Sequence, residues 1–383
     1  MTPDTIPEPA PESVPRSSPE PAPAEAATDV MIRLDKVSKR YPGQDRAAVD
    51  RLSLDVRAGE TVVLLGPSGC GKTTTLRLIN RLIEPTEGRI LLDGEDVTRV
   101  NPDRLRRRIG YVIQQVGLFP HMTVADNIGL IPRTLGWDKR RVRERVDHLL
   151  DLVGLDPAAF RRRYPKELSG GQQQRIGVAR ALAADPPVML MDEPFGAIDP
   201  ITRERLQSEF LGIQAKIRKT IVLVTHDVAE AVRLGDRIAV FTEGARIAQY
   251  DTPARILAAP ADEFVASFLG DGTAIRGLRL APVGTLALDP VVPVPPGQEP
   301  SASGSGPRAV RVDAEGRVLR WPGPDGARDL ARVRADQTLY DALDAMLRAR
   351  QDTVAVVDES DRPLGALTWA SVLRSLPAPG GAS

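Results

Sequence analysis

Hydrophobic residues along the chain fall into three patterns. At Leu52, Leu54 and Val56 they alternate with polar residues, the period of a strand with one buried face. At Thr61–Leu65, 188–191 and 221–225 they run together, as in central strands of a parallel sheet covered on both faces. At Val142, Val146, Leu149, Leu150 and Val153 they recur every three or four positions, which predicts an amphipathic helix over about 139–153. A Gly-rich turn follows the first apolar strand, then a helix over about 71–83. Residues 90–92 read as a strand closed by the Asp93-Gly94 turn. Strands alternating with helices predict an α/β domain on a mainly parallel sheet, beginning near Val30 and finishing near Gly270.

The flanks read differently. Eight prolines among the first 25 residues cannot pack a core, so 1–29 is expected to be a disordered tail. Residues 271–330 are poor in pattern. Pro, Gly and Ser crowd 289–307, which suggests a linker or loop, and only 308–321 resembles a strand pair. From Asp336 the pattern sharpens. Leu339, Leu343, Met346 and Leu347 suggest one helix face. A strand (354–357), a turn (358–361), a strand (364–367) and a short helix (370–376) follow, so 331–383 reads as a small α+β module.

Composition narrows the function. The 383 residues suit two or three domains. Lys+Arg and Asp+Glu are 51 each, a neutral balance that argues against a nucleic-acid partner. One cysteine, Cys70, excludes an intramolecular disulfide and fits a reducing compartment. The apolar runs are far shorter than the ~18–20 residues that span a bilayer, and no basic start precedes an apolar stretch. A cytosolic chain is expected, with any membrane role exercised through a partner.

The chemistry begins at Gly66-Pro67-Ser68-Gly69-Cys70-Gly71-Lys72-Thr73, which fits GxxxxGK[ST] between a buried strand and a helix start. The glycines let backbone N–H groups turn inward around phosphate oxygens, and the helix N-terminus adds a favourable dipole. Lys72 is expected to reach the β- and γ-phosphates, Thr73 to ligate Mg²⁺, and Thr74 to complete the ATP-binding set. The apolar strand 188–191 ends in Asp192 and Glu193. Alone, such a pair is as readily a turn. Beside a P-loop, Asp192 suits a Mg²⁺-associated carboxylate and Glu193 a general base.

Leu168-Ser169-Gly170-Gly171-Gln172 opens a helix on two adjacent glycines, which cost helix stability unless something approaches the backbone there. This run is similar to the LSGGQ signature of ATP-binding-cassette (ABC) ATPases, and the resemblance covers roughly 30–270. It implies a P-loop nucleotide-binding domain with a RecA-like core, an antiparallel β subdomain and a helical subdomain. Tyr41 resembles the aromatic that stacks on adenine. Gln114 resembles the glutamine that touches Mg²⁺ and the attacking water, and Ala197-Ile198-Asp199 resembles the D-loop. His226 resembles the switch histidine that contacts the γ-phosphate, whereas His121 and His148 fall in no such motif. The family pattern implies two copies stacked head to tail, with Ser169, Gly170, Gly171 and Gln172 acting on the ATP held by the other copy. It also implies membrane-spanning permease subunits that use the cycle.

Ser169 follows Lys72 by 97 positions, with no heptad insert and no CxxC pair, unlike DNA-repair members of the family. A single cassette without a fused membrane domain resembles an importer subunit served by a separate permease and an extracytoplasmic substrate-binding protein. Residues 113–124, 163–168 and 199–203 resemble the ATPase of osmoprotectant importers, which take up glycine betaine, choline or carnitine. That family often appends CBS modules, and 336–376 resembles one, with Ser371 where nucleotide-binding CBS modules place an Asp. The resemblance implies a peripheral subunit on the cytoplasmic face of the plasma membrane. An amino-acid, methionine or sugar importer, or a non-transport clamp, remains the alternative.

Overall fold

The computed structural model describes residues 30–113, 117–196, 199–295, 308–321, 328–329 and 331–375. The tail expected over 1–29 lies outside the described residues.

Strands β1 (Val30–Lys39) and β2 (Val49–Arg57) pair antiparallel. Strand β3 (Thr61–Leu65) leads through the Gly-rich turn into α1 (Lys72–Ile79). Strands β4 (Glu87–Leu92) and β5 (Glu95–Asp96) complete the first sheet, in the order β2-β1-β4-β5. The helix expected to reach residue 83 stops earlier because Asn80 caps it and Arg81 turns left-handed at φ 46°.

After α2 (Pro102–Arg106) comes β6 (Ile109–Val112). A helical layer follows, of α3 (Val124–Thr134), α4 (Lys139–Leu152), α5 (Pro157–Phe160) and α6 (Gly170–Leu182). Next are β7 (Val188–Asp192), α7 (Pro200–Ile217), β8 (Thr220–Thr225), α8 (Val228–Leu234), β9 (Arg237–Thr242) and β10 (Arg246–Asp251). The second sheet runs β10-β9-β3-β8-β7-β6, parallel except for β10.

The two faces of this sheet explain the continuous apolar runs. Val62, Leu64, Leu190 and Val222 pack toward Ile32, Leu34, Leu52 and Leu54 of the first sheet and toward Leu76 and Ile79 of α1. Val63, Leu65, Met189 and Leu223 pack on the other side, in the same core as Ile128, Leu149 and Ile176 of the helical layer. The sheet thus has no water-facing side, and the alternation seen at Leu52–Val56 disappears in it.

Two short helices, α9 (Pro253–Ala258) and α10 (Glu263–Leu269), close this core, and α11 (Thr273–Gly277) follows. The segment expected to be linker or loop holds a strand, β11 (Val291–Val294), which pairs parallel with β12 (Arg308–Val312). Its Pro293 and the surrounding Pro-rich composition hid it. Strands β13 (Val318–Trp321) and β14 (Arg328–Asp329) complete that sheet. The last sheet is β15 (Arg332–Arg334), β16 (Thr353–Val357) and β17 (Pro363–Thr368), covered by α12 (Leu339–Ala349) and α13 (Trp369–Ser375).

Strand β16 is buried throughout. Val354 and Val356 face Leu339, Met346 and Val372, whereas Ala355 and Val357 face Val310, Val312 and Val318. Leu278 and Val283 are buried in the former cluster. Leu347, expected on the buried face of α12, is 60% exposed. It sits about 100° around the helix from Met346, off the stripe set by Leu339, Ala342 and Met346.

Candidate nucleotide site

The Gly-rich turn is held by close backbone approaches. Gly71, the residue before α1, has φ 110°, and a Cβ there would lie 2.5 Å from the Ala48 carbonyl oxygen. At Gly66 a Cβ would lie 2.5 Å from the Phe241 carbonyl oxygen. Both positions therefore require glycine. The Lys72 ammonium donates to the Gly66 (2.7 Å) and Pro67 (2.8 Å) carbonyls, so its charge sits within the ring of the loop. Cys70 is buried 3.8 Å from it, and burial pushes the thiol up, which makes it inert filler rather than a nucleophile. Ser68 and Gly69 are exposed at the loop's tip, and Thr74 is half-buried in α1.

Thr73 and Asp192, 119 residues apart, meet at the ends of α1 and β7: the Thr73 hydroxyl donates to Asp192 Oδ1 at 2.9 Å. Burial holds the Asp192 carboxyl above the usual carboxylate range, opposed by this hydrogen bond and by the charge of Arg77. Arg77, one turn beyond Thr73, was not singled out in the sequence. Its only signal there is the i,i+4 spacing.

Glu193 has a left-handed φ of 44° and is pinned by its N–H to the Val224 carbonyl (3.0 Å) on the neighbouring strand. Its Oε1 lies 3.2 Å from His226 Nδ1, so the two strand ends bring the expected base and switch histidine into contact. Tyr41 is half-buried in the β1–β2 connection, with the Lys39 ammonium 5.2 Å from its ring centroid. Gln114, and Ala197 and Ile198 of the D-loop motif, lie outside the described residues. Asp199 caps α7, accepting from Thr202 N–H at 3.0 Å.

A second Gly-rich helix start stands at α6. Ser169 caps it, accepting from Gln172 N–H while the Gln172 side chain accepts from Ser169 N–H. Ser169 and Gly170 are exposed. Neither Gly170 nor Gly171 has a positive φ, and a Cβ at Gly170 would meet nothing within 4 Å. At Gly171 it would lie 3.3 Å from Thr202 Cγ2. The fold of this chain therefore does not account for a bare backbone at Gly170.

Glu230, four residues after His226, carries no motif in the sequence. It is buried, and its Oε1 has no hydrogen-bond partner among the described residues. Burial and the Asp227 carboxylate push it up to about 8, with Arg203 opposing. The folded chain then holds a proton that the unfolded chain releases near its ordinary value of 4.5. Stability is lost as pH rises from there through about 8. Glu230→Gln should therefore raise the melting temperature more at pH 8.5 than at pH 5. The corresponding difference in unfolding free energy should be on the order of a few kcal/mol, since each tenfold change in proton affinity is worth about 1.4 kcal/mol. Thermal melts across that range check it.

A strand-loop-helix phosphate cradle with a half-buried acid at the end of β7, two strands across the sheet from β3, defines a P-loop ATPase. The family model "ABC transporter" matches residues 49–196, and "CBS domain" matches 327–378. The chain is 47% identical to the osmoprotectant import ATP-binding protein OsmV of Salmonella typhimurium, over 88% of this chain and 94% of that one. It is 47% identical to the glycine betaine/carnitine/choline transport ATP-binding protein OpuCA of Bacillus subtilis, over 86% and 76%. A solved ATP-binding cassette, MJ0796, a dimer in a post-hydrolysis state with ADP and Pi, superposes with a TM-score of 0.52 at 34% identity. That superposition covers 58% of this chain and 98% of the cassette. The chain belongs to the ATP-binding proteins of the ABC transporter family, and is an ATPase with a C-terminal CBS domain.

Proposed function

We propose that this chain powers an importer of quaternary-amine osmoprotectants of the glycine betaine, choline and carnitine type. It does so as a pair of copies on the cytoplasmic face of the membrane, bound to a separate permease that a substrate-binding protein supplies. The observation that carries the paired reading is the bare, exposed backbone at Gly170, beside Ser169, which this chain's own packing leaves unexplained. A second copy's nucleotide fits there, between one copy's P-loop and the other's signature. The substrate class rests on the relatives' names and their coverage of the chain.

In this reading Tyr41 stacks on adenine. The backbone of Gly66–Gly71 and the Lys72 ammonium hold the phosphates, with Thr74 beside them. Glu193 takes the proton of the attacking water, Gln114 would meet that water and the Mg²⁺, and His226 contacts the γ-phosphate. The Thr73–Asp192 pair is an all-oxygen donor set of the kind Mg²⁺ takes together with phosphate oxygens. Bound there, the ion neutralises charge developing on the phosphates.

No helix among the described residues is long and apolar enough to cross a membrane. A groove of about 360 Å³ includes Asn80, Leu82, Tyr111, Phe119 and Ile131 in its wall. Leu82 and Phe119 are 45% and 40% exposed there. This apolar, half-open groove is the docking place for a permease segment. The test is the ATPase rate of the complex purified with its permease, titrated with loaded substrate-binding protein. Stimulation with glycine betaine or choline and not with methionine or maltose supports the reading. The reverse pattern assigns the alternative cargo.

The C-terminal module should not tether the chain to anionic lipid. Residues 321–383 carry seven Arg, no Lys and nine Asp/Glu. Arg332, Arg334 and Arg348 already sit within 4 Å of Asp361, Asp336 and Asp344. An electrostatic tether needs clustered free cations, each contributing about 1 kcal/mol. Co-sedimentation of the full chain with phosphatidylserine vesicles at low salt should match that of a chain ending at residue 270.

A further inference from the structure

The signature helix α6 carries at its other end a residue that no motif names. Arg180 lies ten positions after Gly170, about 15 Å along a rigid helix. Its Nη1 donates to the Gly117 carbonyl at 2.7 Å, across 63 residues of sequence. Its guanidinium carbon stands 6.0 Å from the ring centroid of Phe119, the aromatic at the groove. Gly117 has φ 56°, a conformation that suits glycine.

The rest of the Phe119 segment is fastened to the same layer. Asn127, fully buried in α3, accepts from Phe119 N–H at 2.8 Å and donates to the Phe119, Met122 and Thr123 carbonyls at 3.0–3.2 Å. Helix α3 shares its core with α6. One wall of the groove therefore belongs to the helical layer, through Asn127 and Arg180. The other, through Asn80, Leu82 and Tyr111, belongs to α1, the turn after it, and the parallel sheet.

We propose that Arg180 is a positioning residue that locks the Gly117–Phe119 wall of the groove to the signature helix. Closure of the signature on ATP then reshapes the groove, and an occupant of the groove biases the signature. The link is a charge-assisted hydrogen bond to a backbone carbonyl at one end of a stiff rod, and such bonds are stronger than neutral ones. It deepens the reading above by naming how that site would be regulated, and it rests on that reading only for the ATP-driven closure.

Amide hydrogen exchange of the full chain in the Glu193→Gln background, with and without ATP, tests it. Exchange over 117–123 and over the start of α6 should both change at least fivefold on ATP addition. With Arg180→Met, which keeps an apolar stem, the change over 117–123 should fall below twofold. The change at α6 and the ATP-held dimer on size exclusion should persist. Arg180→Lys, which can still donate to the carbonyl, should restore at least half of the effect. An undiminished change over 117–123 in Arg180→Met overturns the proposal. So does loss of the cooperative thermal melt in that variant, which would make Arg180 a residue of the fold. If the Glu193→Gln chain with Arg180 intact neither dimerises nor gains protection at α6, the paired-copy reading fails first, and the proposal falls with it.

Discussion

Replacing Glu193 by Gln is expected to slow ATP hydrolysis by about 10²–10⁴-fold, the share typical of a positioned general base. That corresponds to roughly 3–5 kcal/mol of barrier. Gln keeps the size of the side chain and can still meet His226 Nδ1, now 3.2 Å from Glu193 Oε1. The backbone anchor from Glu193 N–H to the Val224 carbonyl is untouched. The phosphate cradle, built from Gly66, Gly71 and Lys72, does not involve residue 193. ATP binding should therefore survive, and the variant should accumulate as an ATP-held dimer on size exclusion. Turnover at the wild-type rate would remove Glu193 from the role of base.

The second large effect concerns the sharing of sites. Ser169→Arg places a long cation on the exposed end of α6, where the capping bond to Gln172 N–H and the bare Gly170 backbone face outward. Lys72→Ala removes the ammonium held within the phosphate loop. Each variant alone should be inactive, because every composite site of its homodimer carries the lesion. Mixed in equal amounts, half of the dimers are heterodimers with one doubly damaged and one intact site. Activity should recover to about a quarter of wild type if sites act independently, since additivity holds for separated sites. No recovery, with heterodimers demonstrated by mass, would contradict a head-to-tail pair.

The sheet was legible because burial leaves a period. Thr61–Leu65 and Thr220–Thr225 are apolar in sequence and wholly buried in structure, and Leu52, Leu54 and Val56 alternate in both. The phosphate loop was legible because its glycines and its Lys72-Thr73 pair are contiguous in sequence, although the contacts that demand Gly66 and Gly71 come from Phe241 and Ala48. What depends on the chain returning from afar was less so. The Thr73–Asp192 hydrogen bond was expected only as two neighbouring roles, and the Glu193–His226 contact only as two motifs. Arg180, Asn127 and Glu230 left no mark in the sequence, since a buried polar residue looks like any other until its partners are placed. The strand Val291–Val294 was hidden by its Pro and Gly surroundings, because its pairing with Arg308–Val312 is supplied by tertiary structure. Leu347 misled because three- and four-residue spacing admits more positions than one stripe holds.

The central claim is that hydrolysis at this composite site drives quaternary amines across a membrane. Its most direct test is uptake of labelled glycine betaine and choline into vesicles containing the chain, its permease and its substrate-binding protein, with ATP supplied on the side of the chain. The account predicts ATP-dependent accumulation that falls by about a hundredfold or more with Glu193→Gln, in step with the loss of its general base. Uptake that ignores Glu193→Gln, or ATP-driven uptake of methionine or a sugar with none of either amine, would contradict it.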